Sequence, residues 1–341
     1  MKRLFLGLAL CLTAAALWAA GARDNAGSGG ARELVIYASV DEENAQKLID
    51  AFTADTGIKV QAVHLSSGPA LTRIQAEAGR PQADVWLGAP SENHITAKEQ
   101  GLTVPYKGEA FEHLDAVFKD ADGYWRCFYM NPLCFGINTN ALARAGAPVP
   151  KSWADLLNPV YQGLIQAPTP QSAGTAKVMV YSLIETMGED AAYAYMAALN
   201  KNIQTYTSSG TGPSKGVGVG DCAIGIQFTP AFFSFIDQGF PVEVVFPTEG
   251  VGFEAPAVSI LKGVKNVEAA QIFVDWLVSK KGQDTLSAKN TFFYPIIPDA
   301  ALGRGMPPFS SLKVVSYDTA YYAENTNRLV ERWVNQVLTA Q

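Results

Sequence analysis

A run of hydroxyl side chains and glycines precedes a predicted helix start in the second half of the chain. Residues 206–229 read YTSSGTGPSKGVGVGDCAIGIQFT, and the loop at their start contains Thr207, Ser208, Ser209 and Gly210. Pro213 favours a helix beginning directly after this loop. Small hydroxyl donors, bare backbone N–H groups and the positive end of a helix dipole suit a small anion. An ordinary flexible turn is the alternative for this stretch taken alone.

The same pattern, a hydroxyl-rich loop before a predicted helix, occurs twice more. Residues 168–178, PTPQSAGTAKV, place Ser172, Gly174 and Thr175 before an apolar helix, and residues 64–74, HLSSGPALTRI, place Ser66 and Ser67 before Pro69. If the three loops converge in space, they surround one small anion. The sequence predicts the loops and leaves their convergence open.

Alternating strand and helix patterns in the first part of the chain predict a parallel α/β sheet. The predicted strands are 33–39, 58–65 and 83–87, and a helix with an apolar stripe (Ala45, Leu48, Ile49, Phe52) separates the first two. Ligands of open parallel sheets lie beyond the carboxyl ends of the strands. Ser39, Ser66 and Gly88 occupy such ends and are therefore candidate ligand-binding residues.

The later part of the chain continues the α/β pattern. Strands are predicted at 241–246 and 257–261, and the glycine-broken loop 246–254 between them carries Glu249, a candidate partner for a hydroxyl or amine of a ligand. A plain turn carboxylate is the alternative for Glu249. Residues 123–138 are aromatic and strand-like and are predicted to cross between two lobes. Two lobes are expected because about 310 mature residues exceed the usual limit of a single core.

The N-terminus has the pattern of a secretory signal peptide. Lys2 and Arg3 precede an apolar run that ends in small residues, which predicts a signal peptide over residues 1–22 and a flexible segment over 23–32. Lipid anchoring at Cys11 is disfavoured because Leu10 is not the small residue that usually precedes a lipidated cysteine. The formal net charge is −6, and removal of the basic leader makes it more negative. Such a chain does not attract nucleic acid through its overall field.

The sequence contains little that indicates catalysis or metal binding. His64, His94 and His113 have no metal-ligand spacing, and no GxxxxGK[ST] motif occurs. A secreted hydrolase that uses a loop serine would need a base nearby, and only His64 neighbours such a serine. Cys127 and Cys134 could form a disulfide in an oxidising compartment, or both could be buried thiols.

A set of segments along the mature chain resembles the extracellular solute-binding proteins of ABC importers, in the branch that binds ferric iron, phosphonates and sugar phosphates. The segments are YASVDEE, SSGPALTRIQAEAG, ADVWLGAP, FGINT, SWADLLNPVYQG, PTPQSAGTAKV, YTSSGTGP, FPTEGVGFEAPAVSILKGVKN and AQIFVDWLVS. The resemblance implies a type II periplasmic binding fold, with one lobe from 32–128 and 253–300 and the other from 129–252 and 301–341. It also implies a monomeric, non-catalytic protein without cofactor that delivers its ligand to a membrane permease.

The resemblance also bears on the ligand. Iron-binding members carry an adjacent tyrosine pair after the second-lobe strand, because phenolates are hard oxygen ligands for ferric ion. The corresponding stretch runs from Gln227 and Thr229 to Phe232 and Phe233, and these phenylalanines have no ligand oxygen. The pair Tyr321–Tyr322 lies instead on the last predicted helix. The sequence therefore favours a phosphorylated or phosphonate solute, with Gln227 and Thr229 as further candidate contacts, and ferric iron is the alternative.

Overall fold

The computed structural model describes residues 33–339 and contains two mixed β-sheets flanked by helices. The signal peptide, Cys11 and the segment 23–32 lie outside these residues. The first sheet has the order β2-β1-β3-β12-β4, with β5 paired to β12. Its strands are β1 (Glu33–Ser39), β2 (Lys59–His64), β3 (Val85–Pro90), β4 (Thr103–Val104), β5 (Arg126–Cys127) and β12 (Pro256–Leu261).

The second sheet has the order β10-β6-β9-β7-β8, with β11 paired to β6. Its strands are β6 (Asn131–Asn138), β7 (Ile165–Pro168), β8 (Ile203–Thr207), β9 (Ile224–Phe228), β10 (Val242–Val245) and β11 (Phe253–Glu254). Strands β7, β8 and β9 run parallel, and β6 runs antiparallel to β9 and β10. The carboxyl ends of β7, β8 and β9 and the amino end of β6 therefore share one edge.

Eleven α-helices surround the sheets in the described part of the chain. They are α1 (Glu42–Thr56), α2 (Ser67–Ala76), α3 (Ser91–Glu99), α4 (Thr139–Arg144), α5 (Gly174–Met187), α6 (Glu189–Leu199), α7 (Gly212–Val219), α8 (Thr229–Asp237), α9 (Val267–Val278), α10 (Lys280–Ala288) and α11 (Thr319–Trp333). No helix among residues 33–339 is long and apolar enough to cross a membrane.

Each sheet has its own apolar core. The predicted stripe on α1 is buried in the first core, where Phe52 and Phe273 pack edge to face at 4.8 Å. Helix α5 is buried on most sides in the second core, as its continuous apolar sequence predicted. Helix α11 also packs in the second core, through Leu329 and Trp333. Residues after 300 contribute to both cores, because Met306 packs in the first core.

Two antiparallel segments connect the sheets. Cys127 pairs with Ala257 in the first sheet, and Asn131 pairs with Glu254 in the second. The chain thus passes between the sheets at 127–131 and returns at 254–257. Strands joined in this way form a narrow connection about which two bodies can move. The lobe boundaries given above stay a prediction.

The cysteines of residues 33–339 are buried free thiols. Cys127 lies in the first sheet, whereas Cys134 and Cys222 lie in a small apolar cluster beside the second. The disulfide considered for Cys127 and Cys134 is therefore absent, and the alternative of buried thiols is the one observed.

Candidate ligand-binding site

Three helix N-termini meet at one edge of the second sheet. Because β7, β8 and β9 are parallel, the loops that follow them lie side by side and lead into α5, α7 and α8. None of these helices has a hydrogen bond from the side chain of its N-cap residue, and the N-cap of α5 is Ala173. The first N–H groups of a helix have no partner within the helix. This edge consequently concentrates the positive ends of three helix dipoles. The free backbone donors come mainly from α5, because in α7 the Gly212 N–H bonds to the Ser209 carbonyl oxygen and the Ser214 N–H bonds to Gln227.

The hydroxyl loops after β7 and β8 are in direct contact. Ser172 Oγ donates a hydrogen bond to the Ser208 carbonyl oxygen at 2.6 Å. A Cβ atom built on Gly210 would lie 2.5 Å from Thr175 Oγ1, so only glycine permits this approach. The Thr207 hydroxyl donates to the Ser209 carbonyl oxygen at 2.8 Å and so shapes its own loop. Two of the three predicted loops therefore converge.

Gln227 and Thr229 lie beside these loops at the end of β9. Gln227 is buried, and its Oε1 accepts a hydrogen bond from the Ser214 N–H at 2.9 Å, within the first turn of α7. Thr229 is the first residue of α8 and is fully buried, and its Oγ1 has no hydrogen-bond partner. Gln227 thus supports α7, whereas Thr229 retains an unused hydroxyl.

The opposing edge of the first sheet holds Ser39 and Gly88 side by side. The two residues are paired in the β1–β3 register, and Ser39 Oγ accepts a hydrogen bond from Trp86 Nε1 at 3.0 Å. Gly88 has φ of +85°, and the next residue, Ala89, has φ of +68°. A non-glycine residue in this left-handed region is uncommon and costs energy, and such strain concentrates at functional sites.

Ser66 and Ser67 begin α2 at the end of β2. Ser66 is exposed and makes no capping hydrogen bond, and Ser67 is half-buried. In contrast, Asp41 caps α1 by accepting from the Asn44 N–H at 3.1 Å. The loop after β1 therefore contributes only Ser39, because the start of α1 is capped. The start of α2 is not capped, so the loop after β2 contributes its first backbone N–H groups as donors.

The two sheet edges face each other. A Cβ atom on Gly174, the first residue of α5, would lie 3.6 Å from Pro90 Cγ at the end of β3. The hydroxyl loops of the second sheet are thereby brought next to the strand ends of the first. Within residues 33–339 no side-chain hydrogen bond links Ser66 or Ser67 to the second sheet, so the third loop stays unconnected to the other two.

Glu249 lies apart from these loops and has a local structural role. Its two carboxylate oxygens accept hydrogen bonds from the backbone N–H groups of Trp153 and Ala154, at 3.0 and 3.1 Å. Both oxygens are thus engaged at the start of a 3₁₀ turn. These contacts give Glu249 a local structural function, and its contact with a ligand stays a prediction.

Polar residues that the sequence reasoning missed lie between the facing edges. Asn131, at the start of β6, donates through Nδ2 to Glu254 Oε1 at 2.9 Å. Burial is the main cause that raises the pKa of Glu254 to about 8 and that of Glu92, on α3, to about 7. Glu92 begins a helix after a predicted strand, which was a usable signal, but nothing in the sequence pointed to Asn131.

The residues that could bind iron or take part in catalysis do not form a common site within residues 33–339. Tyr322 is buried and donates to Glu185 Oε1 at 2.7 Å, Tyr321 is exposed, and Phe232 and Phe233 are buried. Among residues 33–339 no cluster of three or more His, Cys, Asp or Glu side chains could hold a metal. His64 Nδ1 has no hydrogen-bond partner within residues 33–339.

Residues 83–322 match the family model described as bacterial extracellular solute-binding protein. The chain is 32% identical to the periplasmic binding protein AfuA of Actinobacillus pleuropneumoniae, solved with exogenous fructose-6-phosphate bound, with a TM-score of 0.84 over 90% of this chain and 99% of that one. It is 29% identical to the periplasmic binding protein P5PA, with a TM-score of 0.81 over 89% and 99%. It is 25% identical to the Fe(3+)-binding periplasmic protein of Serratia marcescens, over 87% of this chain and 88% of that protein.

These likenesses cover nearly all of the described residues and both sheets. They confirm the predicted α/β architecture with the type II periplasmic binding fold, and they confirm the predicted branch. The chain belongs to the bacterial extracellular solute-binding proteins.

Proposed function

We propose that this protein is the periplasmic or extracellular receptor of an ABC importer and binds a small phosphorylated or phosphonate solute. The solute lies between the facing sheet edges, and the protein hands it to the membrane permease without chemical change. The lobes 32–128 with 253–300 and 129–252 with 301–341 close on it. The receptor acts as a monomer and needs no cofactor.

One observation carries the proposal: the loops after β7 and β8 touch each other at the N-termini of α5 and α7. Ser172 bonds to the Ser208 carbonyl oxygen, and Thr175 lies under Gly210. Hydroxyl groups, the first N–H donors of α5 and the positive dipole ends of α5 and α7 suit a phosphate-type anion without a cationic side chain. The fructose-6-phosphate bound in the AfuA structure is compatible with this chemistry.

Ferric iron is the alternative ligand, and the similarity to the Fe(3+)-binding protein of Serratia marcescens is the reason to consider it. Hard oxygen ligands would be required. The stretch after β9 instead supplies Phe232 and Phe233, both buried. The phosphate-type ligand is therefore the better supported of the two.

The test combines identification of the natural ligand with a matched pair of variants. Native mass spectrometry of the purified protein identifies co-purified solute, and titration calorimetry compares fructose 6-phosphate, inorganic phosphate and Fe³⁺. Thr175→Val keeps the shape of the side chain and removes the hydroxyl, whereas Thr175→Ser keeps the hydroxyl. We expect Thr175→Val to weaken binding of the phosphate-bearing ligand by about ten- to a hundredfold, the range for one hydrogen bond to a charged group.

Thr205→Ala is the control, because Thr205 is an exposed residue of the same β8 strand outside the loop. It should bind as tightly as the parent. Tight binding of Fe³⁺ together with no binding of any phosphate or phosphonate would overturn the proposal. Unchanged affinity in Thr175→Val would show that the loops are only turns.

A further inference from the structure

Several buried polar atoms between the two sheet edges have no hydrogen-bond partner. They include Glu92 Oε2 from α3 and Asn131 Oδ1 from β6. Asn131 is only 4% exposed. A buried polar group without a partner is costly, and native proteins keep few of them. Tyr317 hydrogen-bonds to the Glu92 side chain and Lys177 is close to it, but Glu92 Oε2 and Asn131 Oδ1 each lack a donor.

Both residues lie next to the proposed anion cradle, which is formed by the loops after β7 and β8. Glu92 follows Pro90 by two residues, and Pro90 is the residue that contacts Gly174 at the start of α5. Asn131 precedes Leu133 by two residues, and Leu133 pairs with Phe228, the N-cap of α8. A solute held at the helix N-termini would therefore extend towards Glu92 and Asn131.

The orientation of the Asn131 amide is fixed. Its Nδ2 donates to Glu254 Oε1 at 2.9 Å, and the two residues are also paired in the β6–β11 register. Because the amide nitrogen is engaged by a carboxylate, the amide oxygen is available as an acceptor. Glu254 thus acts as a positioning residue for Asn131.

The surroundings of Glu92 are mostly acidic or neutral. Burial raises the pKa of Glu92, Tyr317 and Lys177 lower it in part, and the charge of Glu92 in turn contributes to the raised pKa of Glu254. The Tyr317 hydroxyl donates to the Phe253 carbonyl oxygen at 3.1 Å. The region therefore presents acceptors, and a hydrogen-bond donor, neutral or cationic, suits it best.

We propose that Glu92 and Asn131, with Asn131 held by Glu254, form a second subsite that accepts hydrogen bonds from hydroxyl or ammonium groups on the organic part of the solute. This inference rests on the proposed function, since it assigns the far end of a ligand whose anionic end lies in the cradle. It makes the receptor selective for phosphate-type solutes with a donor-bearing organic part over inorganic phosphate.

The experiment measures selectivity in single variants. Titration calorimetry compares inorganic phosphate, fructose 6-phosphate with its hydroxyls and 2-aminoethylphosphonate with its ammonium group. Glu92→Gln and Asn131→Leu remove acceptor capacity, and Glu99→Gln is the control, because Glu99 is an exposed carboxylate on the same helix. We expect Glu92→Gln to weaken the organic ligand that the parent prefers by about ten- to a hundredfold. The ratio of its affinities for that organic ligand and for inorganic phosphate should fall by the same factor, because any effect of residue 92 on closure acts on both ligands alike.

The outcomes separate this inference from the proposed function. If neither phosphate-bearing organic ligand binds the parent, the proposed function fails. If they bind and Thr175→Val weakens them, but both subsite variants retain the selectivity of the parent, the subsite assignment is wrong and the cradle stands. Equal weakening of all three probes by Glu92→Gln also rejects the subsite, because the residue then acts on the fold or on closure. Circular dichroism melting of each variant identifies loss of folding.

Discussion

At the scale of single residues, His94 fixes the shape of the strand end that faces the ligand cleft. It is fully buried and stacks on Trp86 at a ring distance of 4.3 Å. Its Nε2 lies 2.6 Å from the Gly88 carbonyl oxygen, and its Nδ1 lies 2.7 Å from Ser259 Oγ. Because a carbonyl oxygen only accepts, Nε2 carries the proton and Nδ1 accepts from the serine. Burial lowers the pKa of His94 and so favours this neutral form of the imidazole in the folded protein.

This neutral histidine makes stability depend on pH. Burial lowers the pKa of His94 from 6.5 to about 4. The unfolded chain therefore binds a proton at higher pH than the folded chain, and His94 should cost stability as pH falls from about 6.5 through 4. At 1.36 kcal/mol per pKa unit, the decrease in the free energy of unfolding approaches about 3 kcal/mol. Urea unfolding at pH 7, 5.5 and 4.5 should give a flatter profile for His94→Gln than for the parent. The exposed His113→Gln should follow the parent; parallel profiles for the two variants would contradict this account.

At the scale of elements, the contact between the loops after β7 and β8 depends on one glycine. A Cβ at residue 210 would lie 2.5 Å from Thr175 Oγ1 and 3.3 Å from Thr175 Cβ. Real Cβ atoms do not approach so closely, so Gly210→Ala should push the loops apart. We expect at least about a tenfold loss of affinity for the phosphate-bearing ligand, measured by calorimetry. Gly79→Ala, where a Cβ meets nothing within 4 Å, is the matched control; equal affinity in both variants would refute the loop contact.

Local patterns predicted most elements, and contacts between distant segments account for what they missed. Strand β1 has the predicted bounds, and the apolar stripe of α1 is buried where its periodicity placed it. Glu249 was predicted either to contact the ligand, because it lies in a glycine loop, or to be a plain turn carboxylate. Neither interpretation anticipated its donors, which come from Trp153 and Ala154, almost a hundred residues earlier. Asn131 gains its significance only from Glu254 across the connecting strands. No periodicity within a short window encodes such pairs.

At the scale of the whole molecule, the two bodies are connected at 127–131 and 254–257 and also meet at their facing edges. Glu92 extends from the first body, while Lys177 lies on α5 and Tyr317 packs against the second core. In this arrangement, which we take as the closed one, a carboxyl oxygen of Glu92 is buried between the bodies. Burial of an ionised carboxylate is unfavourable unless it is paired, and Lys177 is itself half-buried with a lowered pKa. The closed arrangement without ligand favours a protonated Glu92.

Ionisation should consequently open the unliganded protein. The pKa of Glu92 is raised from 4.5 to about 7 and that of Glu254 from 4.5 to about 8, so the stabilisation of the closed arrangement is fully present below about pH 4.5 and is lost as pH rises from there through the raised values. Tyr317 and Lys177 face Glu92 and reduce this effect without removing it. Small-angle scattering should give a larger radius of gyration for the unliganded protein at pH 9 than at pH 6, and Glu92→Gln should reduce the difference. A saturating phosphate-bearing ligand should restore the compact form, because both bodies then bind one molecule. A radius of gyration that is the same at both pH values and with ligand would show that the bodies do not separate, and closure would have no part in binding.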